Sequence, residues 1–76
     1  MAESFEFTSP QRGTFRIARD RGMWTASCDA EGLGEYNTAA SALENLAGGS
    51  SLWPASGDPS EAGLPVELGQ WTRRVS

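Results

Sequence analysis

Histidine and lysine are both missing from the 76 residues, and cysteine occurs once, as Cys28. Without imidazole or amine, a general base would have to be a carboxylate, and a thiol with no histidine to activate it is a poor nucleophile. The same absences remove an internal disulfide and the thiolate and imidazole sets that hold structural zinc. The acids Asp29, Glu31 and Glu35 lack the further ligands and the bidentate glutamate of a calcium loop, and a chain this short hardly forms the cleft a two-carboxylate glycosidase needs. No run approaches the roughly 18 apolar residues of a membrane span, and "MAESFEFTSP" has neither the basic start nor the apolar stretch of a signal peptide. A soluble cytoplasmic protein is therefore expected, with no enzymatic activity, cofactor, metal or membrane contact.

Bases are also missing from the middle of the chain. Residues 22–72 hold seven acids (Asp29, Glu31, Glu35, Glu44, Asp58, Glu61 and Glu67) and no base, whereas the arginines sit at 12, 16, 19, 21, 73 and 74; the net charge is −4. Such a chain is electrically polarised, and pairing of its last strand near the first hairpin would gather the arginines on one side.

What is present suffices for one small core. Apolar residues make up 38% of the chain, with three Trp, three Phe and one Tyr, too many for a disordered chain. A chain of this length buries only about 60% of its unfolded surface, so a single domain spanning 1–76 is expected. "SFEFT" and "TFRIAR" alternate apolar and polar residues, as half-buried strands do, with Phe15 and Ile17 on one face. Asp20, Arg21 and Gly22 make a hairpin loop into "MWTASC", where Trp24, Ala26 and Cys28 alternate with Met23, Thr25 and Ser27. "DAEG" makes a turn ending in glycine, and "LGEY" a short third strand.

"NTAASALENLAGG" reads as a helix capped by Asn37 or Thr38 and ended by Gly48. Its Ala39, Ala42, Leu43 and Leu46 form one stripe, and Glu44 and Asn45 face water. "GDPSEAG" supplies Asp58 as a cap and Pro59 at the first helical position. In "GLPVELGQW" Pro65 is expected to start a second single turn, ended by Gly69. "QWTRRV" then resumes strand alternation, with Trp71 and Val75 on one face. The spacing thus predicts an α+β fold: a small antiparallel sheet of three to five strands, one helix packed on one face, and an irregular lid over 48–69 that lays Trp53, Leu64, Val66 and Leu68 on the core.

The "F-x-I" strand, the "W-T" strand, "G-E-Y" leading into "AASALENLAGG", and "GDPSEAGLPVELGQW" together resemble a family of short, uncharacterised bacterial proteins. In that family a hairpin and helix ending in Leu-Ala-Gly-Gly precede an Asp/Ser turn, a Leu-Pro pair and a closing Trp. The resemblance covers most of residues 14–71 and implies a fold, since the family carries no assigned activity. The hairpin and helix are also similar to small antitoxin-type domains, without a recognisable appended DNA-binding segment.

Function is expected to be non-catalytic binding of an unidentified protein partner, as a small inhibitor or adaptor of bacterial or phage origin. The candidate partner-binding residues are Arg16, Met23, Thr25, Arg19 and Arg21, the first three on an open sheet face with Thr14 and the last two beside the hairpin loop. Arg16 is the expected anchor, because Arg and Met are favoured at interface cores. The alternative is nucleic-acid binding through the arginines of the first hairpin with Arg73 and Arg74, against which the net acidity argues. An edge strand also permits a homodimer.

Overall fold

A computed structural model describes residues 3–10, 12–55 and 57–75. Strands β1 (Glu3–Ser9), β2 (Gly13–Asp20), β3 (Met23–Cys28) and β4 (Glu31–Tyr36) are followed by helix α1 (Ala39–Ala47), single 3₁₀ turns at Pro59–Glu61 and Leu68–Gln70, and strand β5 (Thr72–Val75). The strands form one five-stranded sheet in the order β4-β3-β2-β1-β5, every pair antiparallel. The helix packs against β2, β3 and β4, so the fold is α+β.

Strand alternation operates as the sequence indicates. Phe15 and Ile17 of β2, Ala26 and Cys28 of β3 and Leu33 of β4 are buried with Ala42, Leu43 and Leu46 of α1, and Leu64 and Trp71 complete the cluster. Asp20 pairs with Met23, so the hairpin loop is only Arg21 and Gly22. Both have positive φ, 53° and 82°, as the two-residue turn that matches strand twist requires.

The next turn differs from expectation. Cys28 pairs with Glu31, leaving Asp29 and Ala30 as the loop, and Asp29 rather than a glycine takes the left-handed conformation at φ 54°. Aspartate tolerates it because its side chain bonds backbone nearby. Here Asp29 Oδ1 accepts from Thr14 N at 3.0 Å, while its own N–H donates to Thr14 O at 2.8 Å. Glycine is needed slightly later. Gly34 pairs with Ala26 and Gly32 with Ser27, so Leu33 is an extra residue in β4. This bulge turns Leu33 into the core at 1% exposure, and the φ of +143° at Gly34 suits glycine alone.

Of the two caps the sequence offers for α1, Asn37 and Thr38, the structure uses Thr38, whose Oγ1 accepts from Ser41 N at 3.0 Å. Gly48 is still right-handed, and the left-handed residue that turns the chain is Gly49, at φ 75°. Asn45 is half-buried rather than water-facing, and its Nδ2 donates to Ser41 O at 2.8 Å. A helix of nine residues is too short to be stable alone, so its packing holds it.

The segment after the helix follows its own contacts. Leu52 N donates to Leu33 O at 3.1 Å and Ala55 N to the Glu31 carboxylate at 3.1 Å, so this stretch runs along β4 at the sheet edge. Asp58 caps the Pro59 turn as expected, accepting from Ser60 N at 2.9 Å. The second turn begins at Leu68, not Pro65. Leu64 is buried and Leu68 half-buried, but Trp53 and Val66 point outward, 58% and 76% exposed. Val75 is half-exposed, although Trp71 before it is buried.

Candidate functional site

Two surfaces compete, and residue chemistry separates them. The first is the sheet face on which Arg16, Met23 and Thr25 lie. Arg16 stands opposite Glu6 and Ser27, Thr25 opposite Ala18 and Glu35, Met23 opposite Asp20, and Thr14 opposite Thr8. Arg19 stands opposite Trp24 and so alternates to the other side, while Arg21 is in the turn. Arg16, Arg19 and Thr25 nevertheless line one open concavity with Ala18, Asp20 and Ser27, and Met23 lies beside it opposite Asp20, so of the five expected residues only Arg21 is neither in its lining nor paired with it.

Arg16 is already engaged. Its Nε lies 3.6 Å from Glu6 Oε2, and the other oxygen of that carboxylate accepts from Arg74 Nε at 3.0 Å. One glutamate thus bridges two arginines across β2, β1 and β5. Arg73 pairs with Glu3 in the same way, and Arg12 with Glu61 at 3.8 Å. Acids of β1 thus offset Arg16, Arg73 and Arg74 within the basic cluster expected from the positions of the arginines. Arg19 and Arg21 form no ion pair among the described residues. An exposed pair such as Arg16–Glu6 contributes little, so Arg16→Ala is expected to change stability by less than about 0.5 kcal/mol in urea unfolding.

Cys28 is buried, and its Sγ donates to Arg12 O at 3.3 Å. Burial, helped by the negative charges of Asp29 and Glu31, raises its pKa above the ordinary 9.0 and keeps the thiol protonated. A raised thiol pKa favours the fold below the unfolded value and loses that contribution as pH climbs through the folded one. The stability advantage of the wild type over Cys28→Ala should therefore hold below about pH 9 and shrink as pH rises above it, read as the difference in urea midpoints.

The second surface lies beside α1. Ala40, Leu43, Glu44 and Ala47 recur at the spacing of one helix face and, with Val66 and Leu68, line an open groove of about 480 Å³. Small Ala40 and Ala47 leave room on the helix side. Leu43 serves both the core and the groove wall. Val66, which the sequence suggested would cover the core, instead stands on the groove, 76% exposed. A single exposed apolar residue needs no explanation, but one placed beside an aliphatic concavity is informative.

Sequence reasoning missed this site for an identifiable reason. The core stripe of α1 is legible as Ala39, Ala42, Leu43 and Leu46, whereas Ala40 and Ala47 beside it are too small to carry an amphipathic signal of their own. Among the described residues no helix is long and apolar enough to cross a membrane, and no group of three or more His, Cys, Asp or Glu residues is placed to hold a metal. No known protein family, curated protein or solved structure matches the chain.

Proposed function

We propose that this domain is a non-catalytic protein-binding module, an adaptor or small inhibitor, and that a partner docks an aliphatic side chain into the groove between α1 and Val66–Leu68. The observation that carries this reading is the exposure of Val66 beside Leu43, Ala47 and Leu68. Binding sites are typically concavities with mainly apolar walls, of about 300–1,000 Å³. The lack of histidine and lysine and the protonated, buried Cys28 thiol support a non-catalytic role. The sheet face opposite α1 is the weaker docking candidate, because Glu6 already holds Arg16 and Arg74 and an antiparallel sheet commonly leaves one polar face to water.

The test is affinity purification from the source cells with wild type, Val66→Asn and Arg16→Ala as baits, each with and without nuclease. Burying a valine is worth roughly 1.5–3 kcal/mol, so Val66→Asn should weaken capture of the partner by about tenfold or more, with Arg16→Ala near wild type and nuclease without effect. Capture abolished by nuclease would instead favour nucleic acid as the bound species.

A further inference from the structure

We infer that the segment received by this groove is amphipathic and cationic: aliphatic anchors flanked by Lys or Arg. The inference rests on the groove reading above and adds the chemistry of the partner. Glu44 lines the groove and is exposed; Glu67 is exposed as well, but its extended backbone between the lining residues Val66 and Leu68 leaves it outside the lining. Neither carboxylate takes an ion pair among the described residues. The chain has no base between residues 22 and 72 to supply one.

Helix polarity adds to this. The groove runs toward the C-terminal end of α1 at Ala47 and Gly48, where the aligned peptide dipoles leave partial negative charge. The last turn of α1 contains no basic residue to offset it. Four of the six arginines pair with acids away from the groove: Arg16 and Arg74 with Glu6, Arg73 with Glu3, Arg12 with Glu61, and Arg19 and Arg21 lie at the β2–β3 hairpin and not among the groove's lining residues. The apolar floor therefore has a negative rim. A helix laid in a groove offers apolar anchors at i, i+3 and i+4 with its charges beside them. Lysines or arginines at those flanks would meet Glu44 and the C-terminal end of α1, whereas an acidic segment or a phosphate backbone would be repelled.

The experiment uses two peptides of about 14 residues, four helical turns, with the same leucine stripe. One carries lysine and the other glutamate on the polar face. Each is titrated into the isotopically labelled full chain and followed by NMR. The lysine peptide should shift the signals of Leu43, Ala47, Val66 and Leu68 and bind at least about tenfold more tightly than the glutamate peptide. That ratio should fall toward one in Glu44→Gln, and fall likewise between about 0.05 and 0.5 M salt, while Val66→Asn weakens both peptides alike. Equal binding of both peptides at the groove would overturn the charge inference and leave the groove reading standing. No perturbation of groove signals by either peptide would overturn both, and lysine-peptide shifts confined to β2 and β3 would move the cationic site away from α1 and overturn the inference.

Discussion

Replacing Trp71 with alanine is expected to destabilise the domain by about 3–5 kcal/mol, the range of large aromatic truncations. Trp71 is 5% exposed, its ring centroid lies 5.9 Å from that of Phe7, and its Nε1 donates to Pro65 O at 3.0 Å. It follows the Leu68–Gln70 turn and directly precedes β5, so one side chain anchors both the turn and the last strand. At the usual ~0.05–0.15 kcal/mol per residue, a chain of this size has only about 4–11 kcal/mol in total. The substitution should lower the melting temperature by more than about 10 °C. Trp71→Phe should cost less, since it keeps most of the apolar volume and loses chiefly the bond to Pro65. Calorimetry of the two variants checks this, and an unchanged melting temperature for Trp71→Ala would show that the ring does not anchor the fold.

Leu46→Ala should cost about 2–5 kcal/mol. Leu46 is fully buried, and α1 reaches β2, β3 and β4 through it together with Ala42 and Leu43. Alanine leaves a cavity that rigid strands cannot close, and the short helix has no stability of its own to compensate. Because Leu43, Glu44 and Ala47 on the same helix line the groove, the variant should lose peptide binding near its lowered unfolding transition. Glu44→Ala, at an exposed helix position, should change stability by less than about 0.5 kcal/mol. Urea unfolding of both variants, with the slope compared to wild type, separates loss of stability from a change in the folded state.

Local chemistry made much of this fold readable. Alternation placed Phe15 and Ile17 in the core, Thr38 marked the start of α1, and Asp58 before Pro59 marked the first 3₁₀ turn. These features depend on residues within a few positions of one another. What could not be read depends on distant partners or on direction. The left-handed Asp29 is held by Thr14, and the bulge at Leu33 exists because the core takes one more side chain than strict alternation supplies. Pairing of Glu3 with Arg73 and of Glu6 with Arg74 joins the two ends of the chain, so counting acids only within the middle segment overstated the basic patch. Trp53 and Val66 lie in a stretch without period, and an apolar residue with no period does not reveal which way it faces. Val66 therefore read as core, and the groove it marks could not be drawn from the sequence.

The most direct test of the groove as docking site is methyl NMR of the full chain titrated with the protein partner recovered by affinity purification. The largest shifts are expected at Leu43, Val66 and Leu68, with Ala18, Met23 and Thr25 unmoved. Shifts concentrated at Ala18, Met23 and Thr25, with Val66 and Leu68 unchanged, would place docking on the sheet face and contradict the groove.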